Sequence, residues 1–192
     1  MPTVGHVMIG LAAGRAQARE GRRVWRRLAL YGALGVAPDL DVVPALLHHP
    51  WLVPLGHRGA THSITFALLL GLAVALVAPG ASRLRTAVAA TLTVASHGLV
   101  DPLNMSSIGT AYLWPFSSER FSWGVKFIPE TPVGWGAFHG AGLVNLVGEI
   151  LIFSPFVVYA LWPRARGTRA PVLRLPETAP REAPLELDEA EG

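Results

Sequence analysis

Cysteine is absent from the 192 residues, which excludes disulfides, thiolate nucleophiles and zinc–thiolate sites. Charge is scarce as well. Only 15% of residues are charged, against about 25% in a soluble domain, while 51% are hydrophobic. That balance excludes a wholly disordered chain and argues against an ordinary soluble globule. Residues 28 to 162 hold five Lys/Arg and six Asp/Glu, and the two ends hold the rest. The middle is therefore an apolar body, long enough for one domain with a sizeable core. The net charge of +3 raises the question of nucleic acid, but the basic residues are almost all Arg beside apolar segments. Orientation in a bilayer accounts for that placement, so no nucleic-acid partner is expected.

What is present is a series of apolar runs. Residues 3 to 14 are apolar and are followed by Arg15, Arg19, Arg22, Arg23, Arg26 and Arg27. A secretory signal carries its charge before the apolar run, so no cleavage is expected despite the Ala16-x-Ala18 pattern. Residues 28 to 47 have the length of a spanning helix but contain Pro38, Asp39 and Asp41. Runs of 15 residues follow at 64–78 and at 86–100, and one of 26 at 137–162. A hydrocarbon core of about 30 Å takes about 20 residues, so the middle two must extend through their flanks.

Charge sidedness orients these runs. Threading outward through 28–47, inward through 64–78, outward through 86–103 and inward through 137–162 places twelve Arg, at 15–27, 83, 85 and 164–174, on the inner side. The outer side then receives Arg58, Arg120 and Lys126 alone. Trp51, Trp114, Trp135 and Trp162 fall at or just beyond segment ends, as interface aromatics do. The expectation is an all-α fold, a polytopic transmembrane bundle of about four to five membrane helices in a bacterial inner membrane. Its membrane-embedded domain covers 1–162, and 163–192, rich in Pro, Arg and Glu, reads as a disordered cytoplasmic tail. The alternative is a buried all-α soluble core, where runs of this length also occur. There is no internal repeat.

Ionisable side chains within apolar segments are costly and are functional candidates by default. In SHGLVD, His97 and Asp101 stand four apart, on one helical face, where imidazole and carboxylate can share a metal ion. In GHRGATHS, Thr61 or Ser63 is placed to cap a helix beginning near Ile64, with His62 in its first turn and His57 in the preceding loop. In APDLDVVP, Pro38 should break the segment and present Asp39 and Asp41 from irregular backbone, which is tolerated at membrane depth where it lines a cavity. His6 lies on the same outer side if the first segment crosses inward. Three Asp and four His thus meet near one depth with Arg58 as the obvious cation, and such a cluster repels itself unless a cation neutralises it. Nitrogen and oxygen donors without sulfur suit a divalent transition metal, zinc first, with manganese or iron as alternatives, and a dinuclear site is conceivable.

Each piece also has a plainer reading. His97 with Asp101 is open to being a structural pair, Asp39 and Asp41 to being turn residues on solvent, and His57, Arg58 and His62 to being a wet loop and cap region. His6 is open to being incidental, and His48, His49 and His139 to being interfacial. Glu149, well inside the last run, is either a deep metal-site or proton-relay carboxylate or one neutralised by Asn145 or another buried partner. Residues 104–136 form a long outer connection rich in aromatics, which lies on the bilayer or lids the site, with Asn104, Ser117, Ser118 and Arg120 as candidate substrate-binding groups.

The ordered series HVMIG, APDLD, HRGATHS, SHGLVDPLN and LWPFS resembles the YdjM-like family of LexA-regulated, inner-membrane metal-dependent hydrolases. That resemblance implies an integral inner-membrane hydrolase with His6, Asp39, Asp41, His57, His62, His97 and Asp101 at the family's polar positions. The same order of motifs is distantly similar to zinc-dependent phospholipase C, a hint towards phosphoesters. The expected activity is hydrolysis of a phosphoester or ester of a lipid-like substrate, a membrane lipid among its partners, by a metal-activated water. Asp39, Asp41, His62, His97 and Asp101 are the first candidates as ligands. His57 is a ligand or a general acid/base, and Arg58 a holder of substrate phosphate. The alternative is a non-catalytic metal-transport or metal-sensing membrane protein.

Overall fold

A computed structural model describes residues 3–18, 24–48, 54–78, 82–105, 108–132 and 134–163. The reading of residues 164–192 as a disordered tail, and the positions of Arg19, Arg22, Arg23, His49 and Trp51, fall outside the described residues. The described residues form helices without a named strand: α1 (Thr3–Gln17), α2 (Val24–Val36), α3 (Val42–Leu46), α4 (Ile64–Val77), α5 (Arg83–Val100) and α6 (Gly140–Leu161). The all-α expectation stands at that level.

Among the described residues, three of the four short 3-10 turns fall at positions the sequence dictates, the fourth being Gly134–Phe138 before α6. Pro38 stands at the start of Ala37–Asp41, directly after α2, and Pro102 at the start of Asp101–Leu103, directly after α5. A proline supplies no backbone donor and stops an α-helix in the same way at both sites. The third turn, Ala60–His62, ends at Ser63, whose hydroxyl accepts the Phe66 backbone N–H at 3.0 Å and caps α4. His62 therefore precedes the cap instead of lying in the first turn of α4, because Ser63 rather than Thr61 takes the capping position. The long connection after Asp101–Leu103 is held by isolated bridges, Asn104 with Ile128 and Thr110 with Phe121.

Helix α1 packs on α2 and α6, and α4 on α5. The α1–α2 crossing is close enough that a Cβ on Gly10 would meet the Tyr31 carbonyl and one on Gly35 the His6 carbonyl. Tyr31 and Leu34 of α2, Ala67 and Val74 of α4, and Ala90 and Val94 of α5 make the buried apolar cluster. Leucines also cover the outside, with Leu68, Leu69, Leu72 and Leu76 of α4 and Leu151 of α6 exposed. An exposed apolar surface of this extent is what a lipid solvent or a partner covers. Helix α6, with 22 residues, is long and apolar enough to cross a membrane, and no other helix among the described residues meets that test. Helix α4, with 14 residues, is about 21 Å long, short of the hydrocarbon thickness.

Candidate metal centre

Antiparallel packing brings the starts of α1 and α4 to the same end of the bundle as the ends of α2 and α5. His6 sits near the start of α1, Asp39 and Asp41 just after α2, His62 just before α4, His97 in the last turn of α5, and Asp101 immediately after it. All of these are buried, as is Arg58, whereas His57, in the loop before the Ala60–His62 turn, is partly exposed.

Four donor atoms face one another. His62 Nε2 lies 3.3 Å from Asp101 Oδ2 and 3.9 Å from Asp39 Oδ1, while His97 Nε2 lies 3.2 Å from Asp39 Oδ1 and 3.9 Å from Asp101 Oδ2. Each of the four atoms is buried and makes no hydrogen bond. Asp101 Oδ2 has an ion pair to Arg58 Nε, and the other three atoms meet at ion-pair distances without a well-directed hydrogen bond, a deficit that a bound ion would remove. Ligands about 2.0–2.2 Å from a tetrahedral centre stand about 3.3–3.6 Å apart, and the observed spacings bracket that range. The donor set, two imidazoles and two carboxylates without sulfur, fits a divalent transition metal.

The surrounding residues fix these donors. His97 Nδ1 bonds to the Gly35 carbonyl at 2.7 Å, so that ring nitrogen carries the hydrogen and Nε2 is left with its lone pair. Asp41 stands behind the other imidazoles, with Oδ1 2.8 Å from His57 Nδ1 and Oδ2 3.2 Å from His62 Nδ1. Its Oδ2 also accepts the Thr61 hydroxyl at 2.8 Å and the Arg58 backbone N–H at 3.2 Å. Asp41, His57 and His62 form a second group whose donor atoms lie within 4.8 Å of one another, and it shares His62 with the first. Burial alone would push the His62 pKa down, but the close carboxylates of Asp101 and Asp41 outweigh it and raise the pKa to about 9.

His6 contributes from α1: its Nε2 is 3.1 Å from Asp101 Oδ1, and its ring stacks on that of His97 with centroids 3.5 Å apart. Arg58 pairs through Nε with Asp101 Oδ2 at 2.9 Å and donates from Nη1 to the Ile108 carbonyl at 2.7 Å. Its φ of 59° is left-handed, which a non-glycine residue holds only where its surroundings over-determine it. Arg120, read from the sequence as a substrate group, is spent on the carbonyls of Leu55, His57 and Gly109 and ties the 57–58 loop to the long connection. Asn104 is buried, donating to the Pro129 carbonyl at 3.2 Å, and Ser117 accepts the Glu119 backbone N–H at 3.1 Å.

Glu149 is fully buried, but outside this cluster. Its Oε1 accepts the Gly5 backbone N–H at 2.7 Å and its Oε2 the Thr131 hydroxyl at 2.8 Å, so its partners are the start of α1 and the long connection. Asn145 instead donates to the Glu130 carbonyl at 2.9 Å. Sequence reading missed Gly35 and Thr131 and read Thr61 as a helix cap instead of a partner of Asp41; a glycine at a helix crossing and hydroxyls beside buried acids have no signature until the partner is in place.

Two cavities flank the cluster. One of about 510 Å³ is walled by Ile64, Leu99, Tyr112, Phe121 and Trp123 and reaches His62. The other, about 500 Å³, lies among Val4, Val43, Ala137 and Ile150 and reaches Asp39 and Glu149.

Residues 1–169 match the protein family described as YdjM inner membrane protein. The chain is also similar to inner membrane protein YbcI of Escherichia coli (strain K12), with 32% identity over 126 residues that span 63% of this chain and 72% of that one. No solved structure matches it.

Proposed function

The chain belongs to the YdjM inner membrane protein family, and from that premise we propose that it is a membrane-bound metal-dependent hydrolase of a phosphoester or ester in a lipid-like substrate. The observation that carries this reading is the set of four buried donor atoms on Asp39, His62, His97 and Asp101 that have no hydrogen bond and face one another. Those residues would hold the ion, zinc first, with manganese or iron as alternatives. When bound, it supplies Lewis acidity and brings the pKa of water towards neutrality.

The protein's own groups do the rest. Asp41 holds His57 Nδ1, and the opposite nitrogen, Nε2, has no hydrogen-bond partner, which suits a proton carrier. Arg58 supplies a fixed positive charge beside Asp101, suited to an anionic phosphoryl oxygen. His6 braces Asp101 from its other oxygen. The apolar cavity ending at His62 favours a substrate with a hydrocarbon part. Around this site we propose a multi-pass domain over 1–162 with about four to five membrane segments, α6 the clearest of them, and a cytoplasmic tail from 163.

A second reading, metal transport or sensing without hydrolysis, draws on one feature: His62 belongs to both donor groups, so an ion has two adjacent positions. Elemental analysis of the purified protein, followed by a screen of lipid phosphoesters and esters with and without chelator, separates these readings. Hydrolysis predicts stoichiometric metal and chelator-sensitive turnover that Asp101→Asn abolishes. Bound metal without turnover of any such substrate would leave transport or sensing, and protein lacking metal would overturn both.

A further inference from the structure

Helices α2 and α5 both begin at the end of the bundle opposite the donor cluster, about 21 Å from His97 along α5. Their first turns carry Arg26 and Arg27 in α2 and Arg83 and Arg85 in α5. A helix start holds partial positive charge and favours acids, yet neither first turn contains one, and the Ser82 side chain does not cap α5. Guanidinium groups therefore add to the positive ends of two helices. The carboxylates of the described residues stand elsewhere: Asp39, Asp41 and Asp101 in the donor cluster, Glu149 on Gly5, and Glu119 and Glu130 in the long connection.

Arg27 and Arg85 come together around the last turn of α1. A Cβ on Gly14 would meet the Arg27 carbonyl, while Arg85 donates from Nε to Gln17 Oε1 at 2.9 Å and from Nη2 to the Ala16 carbonyl at 3.4 Å. Both arginines act electrostatically on the Tyr31 hydroxyl, which belongs to a fully buried side chain and has no well-directed hydrogen bond. Like charges held in this way repel unless an anion lies between them, and the backbone N–H groups of a helix start are further donors for one. Apolar side chains share the same two turns, with Trp25 69% and Leu84 75% exposed. In an inner-membrane protein, basic groups flanked by exposed apolar ones suit a lipid headgroup with its chains alongside better than a water-borne anion. We infer that Arg27 and Arg85 bind the phosphoryl headgroup of an acidic phospholipid at the starts of α2 and α5. The site is separate from the donor cluster and independent of its chemistry.

The test releases the full chain from detergent micelles in a native mass spectrometer and counts the lipids it retains. Phosphatidylglycerol is expected to be retained at a concentration lower than phosphatidylcholine by about tenfold or more. Arg27→Gln and Arg85→Gln should each remove part of that preference and together most of it. Arg27→Lys with Arg85→Lys keeps the charge but loses the planar fork, and should lower the preference by less. Lys126→Gln removes an equal charge from the long connection and should leave it unchanged. Equal retention of the two lipids, or a preference that survives the paired glutamine substitutions, overturns the inference. So does a loss from Lys126→Gln as large as that from Arg27→Gln, which would make net charge the cause. Displacement of phosphatidylglycerol by equimolar inorganic phosphate overturns the lipid assignment and leaves a site for a free anion.

Discussion

Asp41 holds two imidazoles with one carboxylate, Oδ1 against His57 Nδ1 at 2.8 Å and Oδ2 against His62 Nδ1 at 3.2 Å. Removing its charge leaves the donor atoms in place and loosens their orientation. Asp41→Asn is therefore expected to weaken metal affinity by about 10–100-fold, the effect of an outer-shell partner, whereas His97→Ala combined with Asp101→Ala abolishes stoichiometric binding. Competition against a chelator of known affinity measures both. His62 adds a pH dependence. With its pKa raised to about 9, it carries a proton at neutral pH that an ion must displace from Nε2. Affinity should accordingly fall as pH falls from about 9, by about tenfold per unit for one displaced proton, and binding at pH 7 should release protons into a weakly buffered solution. All seven His and Asp of the cluster are legible in the sequence, because an ionisable group in an apolar run stands out. Their division of labour is not. Spacing puts His97 and Asp101 on one helical face, but whether Asp41 faces an ion or the back of an imidazole depends on where the 57–62 loop folds over the turn at Ala37–Asp41.

At the scale of elements, two prolines are decisive, since Pro38 and Pro102 end α2 and α5 and leave Asp39, Asp41 and Asp101 on tight turns at one end of the helices. The sequence reading carries the second outward segment through Pro102 to residue 103, whereas the break at Pro38 is readable in advance from local chemistry. Long-range clamps are not, and Glu149 is the example. Neighbouring residues in the sequence suggest Asn145 as its partner, yet the group that satisfies it is the backbone of Gly5, at the other end of the chain. Glu149 thereby caps the first turn of α1 and holds the helix that carries His6 against α6. Glu149→Leu strands the Gly5 N–H and the Thr131 hydroxyl contact and should cost about 1–3 kcal/mol, read as a lowered unfolding temperature in detergent. Glu149→Gln, which keeps an acceptor for Gly5, should cost less. Equal stability of the leucine variant and the wild type would show that the clamp contributes nothing.

The whole molecule is polarised. The cluster gathers at one end, and the opposite end is basic: Arg85 Nε donates to Gln17 at 2.9 Å and its Nη2 to the Ala16 carbonyl at 3.4 Å, while Arg15 donates to the Trp162 carbonyl at 3.2 Å. The end of α1, the start of α5 and the end of α6 therefore meet in an arginine-bearing rim, far along the helices from His6, His97 and Asp101. Arginines stay cytoplasmic in short loops, so we propose that in this inner-membrane family member the rim faces the cytoplasm and the candidate metal centre faces outward. Helix α4 is too short by itself to carry that assignment, which is why composition alone left the number of spans open; the contacts of Arg15 and Arg85 make orientation a property of the assembled helices. Reporter fusions at Gly80 and at Gly167 should both give cytoplasmic signals, and a fusion at Gly124 an external one. External signals at Gly80 and Gly167 would turn the molecule over and give the metal centre access to cytoplasmic substrates instead. A split result, with one of the two outside, would remove a span between α4 and α6 and break the link between the charge pattern and the fold.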